Sequence, residues 1–227
     1  MDHLDRDGFA SPPGSIDESL RRSLCDTLET ATESAGQRNL LDEQPATRAL
    51  LCDSFVAQLI QDTLGPKAFV VRATLFDKRP DSNWSVSWHQ DQVIAVNQRQ
   101  DLPGYGPWSI KQGVHHVEPP TDVLARMVAV RIHLDPCPAE NGALIGLPGS
   151  HLEGRIDEKA FRARYPEAME RVLPVEAGGV LLMKPLCLHR SSRSTTGGRR
   201  RVIHFDCAAA DLPLPLTWAL QERIAAR

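Results

Sequence analysis

The stretch WSVSWHQDQVIAV, residues 84–96, combines large apolar side chains with a histidine and an aspartate two residues apart. Its alternation predicts a strand over residues 84–96, with the polar side chains on one face: Ser85, Ser87, His89 and Asp91. An imidazole and a carboxylate on the same face can bind one metal ion without distorting the backbone. The stretch therefore predicts half of a metal site.

A third ligand is expected from another part of the chain, and His189 is the candidate. It follows the apolar residues 181–188, where a polar side chain has no evident packing role. Two histidines and one carboxylate form the facial triad of non-haem iron oxygenases, which leaves coordination positions open for oxygen and a co-substrate. On spacing alone the alternative is a core or surface histidine satisfied by hydrogen bonds, because eight histidines produce such pairs by chance.

A polar turn, residues 191–198, separates His189 from three consecutive arginines, Arg199, Arg200 and Arg201, that open an apolar strand. The predicted hairpin returns this strand beside His189, where a guanidinium can bind a dicarboxylate with two hydrogen bonds. The alternative for an arginine run is a solvated charged edge that discourages strand pairing with other molecules. Because side chains alternate along a strand, we expect one arginine to point inward and two to form such an edge.

Short apolar or alternating runs separated by Gly, Pro and Asn begin at Lys67 and are typical of a β-sandwich or barrel. The predicted strands cover residues 68–76, 84–96, 127–135, 143–147, 180–184, 186–190 and 200–207. Two amphipathic helices precede them, one beginning near Ser15, which has capping-box spacing to Glu18, and one from Asp53 to Leu64. We expect a single domain, 1–227, with a flexible terminus (1–14), a helical part (15–66), a β core (67–210) and a C-terminal helix (211–227).

The composition is that of an ordinary globular protein. The chain has 227 residues, of which 41% are hydrophobic, and its 26 Lys and Arg nearly balance 29 Asp and Glu, for a net charge of −3. This balance argues against a nucleic-acid partner or an anionic membrane surface. Five scattered cysteines without a Cys-x-x-Cys pair, an N-terminus without an apolar core and no membrane-length apolar run predict a cytoplasmic protein with reduced thiols.

Three separated motifs in order resemble the phytanoyl-CoA dioxygenase family. They are Trp88-His89-Gln90-Asp91, then Glu140-Asn141-Gly142-Ala143-Leu144 running to Leu147-Pro148-Gly149-Ser150-His151, and finally His189 with Arg200 eleven residues later. The resemblance covers roughly residues 67–207. It implies a mainly β fold with flanking helices, in which N-terminal helices pack on a double-stranded β-helix, a cupin-like jelly-roll barrel.

The resemblance also implies the ligands of this site. His89, Asp91 and His189 correspond to the iron ligands, and Arg200 corresponds to the partner of the distal carboxylate of 2-oxoglutarate. Ser191 matches a position that contacts this co-substrate, and Gln90 matches a residue that lines the pocket. In the turn after His189 the chain departs from the common pattern, since Arg193 and Ser194 replace a small residue and an asparagine.

Several other side chains are candidates for the pocket or its support. Arg131 and His133 alternate with apolar residues in strand 127–135, so we expect them to face a polar cavity or, for Arg131, a structural carboxylate. Arg72 and Thr74 pose the same choice. Residues 97–120, rich in Gly and Pro, predict a long loop that exposes His115 and His116. In this loop Trp108 is a candidate lid residue, with docking onto its own domain as the alternative.

From the resemblance we expect an Fe(II)- and 2-oxoglutarate-dependent dioxygenase that uses O2 to hydroxylate an unactivated C–H of a small organic molecule, with release of succinate and CO2. Asp91 favours hydroxylation, because halogenating relatives lack this carboxylate. The alternative is a jelly-roll metalloprotein, an isomerase or a binding protein, that uses the same ligands without 2-oxoglutarate. Arg200 discriminates between them, because a non-oxidative site has no need for a buried guanidinium near the metal. The sequence leaves the substrate and the oligomeric state undetermined.

Overall fold

A computed structural model describes residues 2–29, 36–157 and 160–225 of the chain. The α-helices are α1 (Asp2–Asp7), α2 (Glu18–Thr27), α3 (Leu40–Glu43), α4 (Ser54–Leu64) and α5 (Thr121–Ala125). The strands are β1 (Phe9–Ala10), β2 (Gly36–Gln37), β3 (Phe69–Lys78), β4 (Val86–His89), β5 (Ile94–Val96), β6 (Trp108–Lys111), β7 (Val114–Val117), β8 (Val128–His133), β9 (Leu144–Gly146), β10 (Arg171–Leu173), β11 (Val180–Met183), β12 (His189–Ser191), β13 (Arg200–Ala208) and β14 (Glu222–Arg223). None of the described helices is long and apolar enough to cross a membrane.

The strands form a double-stranded β-helix. The larger sheet has the order β1-β11-β8-β13-β3-β14, with β2 also paired to β3, and the smaller sheet has the order β10-β9-β12-β4. A third sheet, β5-β7-β6, extends the structure beside them. The long strand β13 pairs with β3 on one side and β8 on the other, so residues far apart in the sequence become neighbours inside the barrel.

The N-terminal helices pack on the outer face of the larger sheet. Apolar side chains of β3, β8 and β13 point outward into one buried cluster with residues of α2 and α4; its members include Leu24, Leu28, Val56, Ile60, Leu75, Val130, Ile132, Ile203 and Phe205. Alternation along the same strands sends the intervening residues into the barrel. The helices therefore fix the orientation of the strands that carry the polar interior.

The predicted helix starts are right to within a few residues. Asp53 caps α4 as expected, because its carboxylate accepts hydrogen bonds from the backbone N–H groups of Phe55 and Val56. The cap of α2 differs from the expectation, since Asp17 rather than Ser15 accepts from the N–H of Leu20. A carboxylate three residues before that donor satisfies the helix end just as a Ser15 capping box would.

Both ends of the chain differ from the expectation. Within the segment predicted to be flexible, residues 2–7 form α1 and Phe9 pairs with Met183 of β11. The C-terminal helix predicted for residues 211–227 is absent from the described part, which contains the strand β14 instead. Leu216, Leu220 and Ile224 have the spacing of one helix face, yet these side chains are divided between two apolar clusters.

The segment 97–120 is not one long loop. Its second half is the hairpin β6–β7, which pairs with β5 through Ile94 and Val117. His116 consequently lies in a strand and is buried, contrary to the prediction that it is exposed. The predicted strand 84–96 is also divided, because β4 ends at His89 and β5 belongs to another sheet.

Candidate metal centre

His89, Asp91 and His189 meet at one end of the barrel interior. Nε2 of His89 lies 3.9 Å from Oδ1 of Asp91, and Nε2 of His189 lies 4.0 Å from Oδ2 of the same carboxylate. The three potential ligand atoms lie within 4.8 Å of one another. Within the described ranges these residues form the one such group of three or more metal-ligating side chains.

Strand pairing positions the two imidazoles. His89 of β4 is the register partner of His189 of β12, and their ring centroids are 4.2 Å apart. Asp91 lies beyond the end of β4, where its backbone N–H donates to the carbonyl of Pro185. The expectation that one straight strand presents both His89 and Asp91 is therefore wrong, although the two side chains do meet as predicted.

Both histidines are oriented for binding through Nε2. Nδ1 of His89 lies 2.8 Å from the carbonyl oxygen of Ser87, and Nδ1 of His189 lies 2.9 Å from that of Cys187. Because a carbonyl only accepts, each Nδ1 carries the hydrogen and each Nε2 retains its lone pair. Burial lowers the pKa of His189 to about 4, so its ring is neutral at physiological pH. The donor set fits a divalent metal with three ligands on one side.

A cavity of about 480 Å³ opens beside these three residues. Residues of both sheets line it, and the predicted site residues among them are Arg72, Thr74, His89, Gln90, Asp91, Arg131, His189, Ser191 and Arg200. The volume suits a small organic molecule together with a co-substrate.

Of the three consecutive arginines, Arg200 points into this cavity and is buried. Its Nη1 donates to the carbonyl of Gly142, and its Nε has no hydrogen-bond partner among the described residues. The other two point outward, as the alternation predicts, but they do not form a solvated edge. Arg199 pairs with Asp77 at 2.8 Å and Arg201 with Asp135 at 2.7 Å.

Gln90 borders the cavity, yet its amide is engaged elsewhere. Its NH2 group donates to the carbonyls of Gly154 and Leu186, and its oxygen accepts from the backbone N–H of Ile156. The same oxygen lies 3.3 Å from Nε2 of Gln92. Since its hydrogen-bonding groups are used, Gln90 holds the surrounding loops rather than presenting a free group to a ligand.

A chain of buried polar side chains crosses the cavity wall. Arg131 donates from Nη1 to Nδ1 of His204 at 2.8 Å, so Nε2 of His204 carries the hydrogen and donates to Asp206 at 3.2 Å. Nε of Arg72 donates to the same carboxylate at 2.5 Å. Burial alone would raise the pKa of Asp206, but the charge of Arg72 holds it well below its usual range. Arg72 therefore has the structural carboxylate, whereas Arg131 has a histidine.

Two predicted pocket residues do not reach the cavity. His133 is buried on the same strand face as Arg131, but it does not line the cavity and neither ring nitrogen has a partner among the described residues. Burial lowers the pKa of His133 well below its ordinary value. Trp108 packs beside an apolar cluster on its own side of the structure, with the guanidinium of Arg99 5.7 Å from its ring centre. This corresponds to the docking alternative.

The sequence reasoning missed several polar residues around the site. Lys78 is buried beside Arg200, and Arg38 and Lys111 line the cavity. His204 and Asp206 complete the polar chain described above. The signal for His204 was present, because it shares the inward face of β13 with Arg200. Lys78 gave no comparable signal, since a lysine at a strand end is ordinarily exposed.

Comparison with known proteins agrees with this architecture. A sequence model described as Phytanoyl-CoA dioxygenase (PhyH) matches residues 13–202. A search of the curated proteins found no match.

Solved structures with the same fold share little sequence with the chain. SnoN, an alpha ketoglutarate dependent epimerase from nogalamycin biosynthesis, has a TM-score of 0.69 at 16% identity, covering 100% of this chain and 91% of SnoN. HygX from Streptomyces hygroscopicus with iron bound has a TM-score of 0.63 at 18% identity, with 90% and 83% covered. EvdMO1 has a TM-score of 0.66 at 22% identity, but the match covers 91% of this chain and only 48% of EvdMO1.

These likenesses establish the fold, and the family match establishes the relationship. The matched residues 13–202 make up most of the chain and include His89, Asp91, His189 and Arg200. The chain therefore belongs to the phytanoyl-CoA dioxygenase family of iron- and 2-oxoglutarate-dependent oxygenases.

Proposed function

We propose that the protein is a dioxygenase that binds Fe(II) through His89, Asp91 and His189 and hydroxylates an unactivated C–H bond of a small organic molecule. Its co-substrates are 2-oxoglutarate and O2, and its co-products are succinate and CO2. The observation that carries the proposal is the arrangement of two Nε2 atoms and one carboxylate beside a cavity. The same cavity contains the buried Arg200, which pairs with no carboxylate of the described residues. HygX has been solved both with iron and with nickel and 2-oxoglutarate.

The residues of the chain divide the work of the reaction. His89, Asp91 and His189 would hold the metal, and the cavity beside them would give co-substrate and oxygen access to it. The carbonyls of Ser87 and Cys187 hold the imidazoles in the metal-binding tautomer. Arg200 orients a dicarboxylate by its distal end. Iron with 2-oxoglutarate and oxygen supplies the oxidising power that couples decarboxylation to oxygen insertion.

The cavity wall positions the substrate and limits the access of water. Phe76, Trp84 and Val86 contribute apolar surface to the lining, whereas Arg38 and Lys111 contribute positive charge. An oxidising site requires one C–H bond to be held close to the metal and competing molecules to be excluded.

The free state of all five cysteines supports the further proposal of a reducing, cytoplasmic location.

The competing function is a metalloprotein without 2-oxoglutarate. It would need the His/Asp/His group but would not need Arg200, which is 3% exposed and makes no ion pair within the described residues. Burying a guanidinium without a counter-ion is costly unless an anion joins it. The buried Arg200 therefore favours the oxygenase.

The experiment that tests the proposal is an anaerobic titration of the metal-free protein with Fe(II) and then 2-oxoglutarate, monitored by the visible charge-transfer band of the chelate. We expect the band in the wild type and its loss in Arg200→Ala at matched concentrations. Arg199→Ala is the control, because this neighbouring arginine pairs with Asp77 outside the cavity. Stoichiometric metal binding without the band in the wild type would favour the non-oxidative metal site.

The outcome of the reaction needs a separate measurement. Hydroxylation adds one oxygen atom to the substrate, whereas an epimerisation such as that named for SnoN leaves its formula unchanged. Compounds that stimulate succinate release should therefore be followed by mass spectrometry of the product. A gain of one oxygen supports the hydroxylase, and an unchanged mass in a stereochemically altered product contradicts it.

A further inference from the structure

The interior of the barrel holds an excess of buried positive charge beside the candidate metal centre. Lys78, Arg131 and Arg200 come from three adjacent strands and are 1%, 6% and 3% exposed. Within the described ranges no carboxylate lies within ion-pair distance of any of them. Arg200 is the expected partner of the co-substrate, but neither the family resemblance nor the sequence assigns any role to Lys78.

Lys78 and Arg200 are direct neighbours across the sheet. They are register partners on β3 and β13. A Cβ atom added to Gly142 would lie 3.3 Å from Nζ of Lys78 and 3.4 Å from Nη1 of Arg200, so both cations face the same point. Like charges directly opposite each other destabilise a sheet. Burial increases this cost, unless an anion is bound close to both.

The ammonium of Lys78 is held by neutral acceptors. It donates to the carbonyl of Ser192 at 2.7 Å and to Oγ of Ser191 at 3.4 Å, and its third hydrogen remains for another partner. Ser191 borders the cavity, whereas Lys78 lies behind it with Nζ 5.2 Å from the ring centre of Trp84. Lys78 thus acts on the cavity through the Ser191 hydroxyl and through its charge.

The pKa values of Lys78 and Arg131 are lowered, as expected for cations buried without an anion close to them. Burial and the neighbouring charge of Arg200 lower the pKa of Lys78 to about 7. Burial, with a further contribution from Arg200, lowers the pKa of Arg131 to about 10, so this guanidinium stays protonated at neutral pH. A bound carboxylate would relieve the repulsion among all three groups.

We propose that Lys78 is a positioning residue for 2-oxoglutarate: together with Arg200 it forms a two-cation site for the distal carboxylate and orients Ser191 toward it. The inference rests on the proposed function and extends it. It makes Lys78 a determinant of the preference for a dicarboxylate over a 2-oxo acid with a single carboxylate.

The test compares two ligands in three forms of the protein under anaerobic conditions with Fe(II). The ligands are 2-oxoglutarate and 2-oxopentanoate, which keeps the metal-chelating 2-oxo acid group but lacks the distal carboxylate. We expect Lys78→Met to weaken 2-oxoglutarate binding by roughly ten- to a hundredfold and to leave 2-oxopentanoate binding unchanged or tighter. Lys78→Arg should restore most of the preference, because it returns the charge. The readout is the dissociation constant, which does not require turnover.

Lys184→Met is the matched control. Lys184 is a partly buried lysine that faces Asp5 at 3.7 Å and lies outside the cavity. We expect it to bind both ligands as the wild type does.

Two results would contradict the proposed role of Lys78. Equal weakening of both ligands in Lys78→Met would mean that Lys78 only maintains the structure, and unchanged binding of both would mean that its charge is irrelevant. Either result overturns the role of Lys78 and leaves the oxygenase proposal intact. Failure of wild-type protein with bound Fe(II) to bind either 2-oxo acid would instead overturn the proposed function. Should Lys78→Met not fold, Lys78→Gln, which keeps a hydrogen-bond donor without charge, provides the same comparison.

Discussion

The two faces of the central strands β3, β8 and β13 are both buried and yet have opposite chemistry. Outward residues such as Leu75, Ile132 and Phe205 pack against the N-terminal helices in an apolar cluster. Inward residues such as Lys78, Arg131 and Arg200 are equally inaccessible but charged. Burial by itself therefore does not separate structural from functional residues. A charge that is buried without a counter-charge does indicate a functional residue, because a bound ligand of opposite charge would compensate the cost of removing that charge from water.

The arginines at the start of β13 show the same difference between the two faces. Outside the barrel, Arg201 meets Asp135 and Arg199 meets Asp77, so each guanidinium has its own carboxylate. Inside, Arg200 from the same run donates to a carbonyl and to the weak acceptor Cys137, and in the described part of the chain no carboxylate pairs with it. Three adjacent residues of one type thus have two roles, which alternation along the strand assigns.

The largest effect is expected from the inner face. His89→Ala removes one of the two imidazoles, and we expect the loss of Fe(II) binding and of succinate formation together, with the fold retained. Metal binding by equilibrium dialysis and succinate release test this prediction. Turnover that persists at a wild-type rate in this variant would show that the three-residue assignment is wrong.

A large effect of a different kind is expected from the outer face. Phe205→Ala leaves a cavity where the sheet meets the helices, and we expect a loss of about 3–5 kcal/mol of unfolding free energy. Because the ring points away from the cavity, the folded variant should bind Fe(II) with the wild-type dissociation constant. Denaturant unfolding and a metal titration provide the two measurements, and weaker metal binding by folded protein would show that the two faces are coupled.

The buried Lys78 on the inner face should also make the free energy of unfolding depend on pH. The lowered pKa of Lys78 means that the folded protein binds fewer protons than the unfolded chain between pH 7 and 10.5, so this group makes stability rise with pH across that window. Below pH 7 the destabilisation is complete, at roughly 1.4 kcal/mol for each unit by which the pKa is lowered. Ligand-free Lys78→Met should therefore be more stable than the wild type at pH 7, with an advantage that declines toward pH 10.

Unfolding of both proteins at several pH values checks this sign. The groups whose charges act on Lys78 are Arg200, Arg131 and Cys137, and they are common to both proteins. A difference in unfolding free energy that stays constant between pH 7 and 10, or a variant less stable than the wild type at pH 7, would contradict the conclusion that burial disfavours the charged form of Lys78.

The smallest effect is expected in the helical layer itself. The Asp53 carboxylate caps α4 and also accepts from the backbone N–H of Asp17, so it joins two helix starts. We expect Asp53→Ala to cost about 1 kcal/mol of unfolding free energy without changing 2-oxoglutarate affinity. Thermal unfolding and the anaerobic titration test both parts. A change in affinity would show that the helical layer controls the site.

Much of the site follows from local spacing along the chain. His89, Asp91 and His189 are candidates from ligand type and strand alternation, which are properties of neighbouring residues, whereas Arg200 is selected by the resemblance to the family. The same alternation correctly divided β8 into an apolar and a polar face. The errors lie where periodicity is ambiguous, as for Leu216, Leu220 and Ile224, whose helix-like spacing belongs to a segment that contains the short strand β14 and no described helix.

The sequence by itself determined the candidate ligand types, the helical and β parts and the expectation that one of three consecutive arginines points inward, since each depends on residues close together in the chain; the family resemblance selected Arg200 among them. Only the tertiary structure decided that Lys78 lies beside Arg200, that Asp206 neutralises Arg72 and that the Gln90 amide is used by neighbouring loops. These relations depend on strand register and loop packing between distant segments. The pairing of β3 with β13 brings two cations together, and neither position reveals this in isolation.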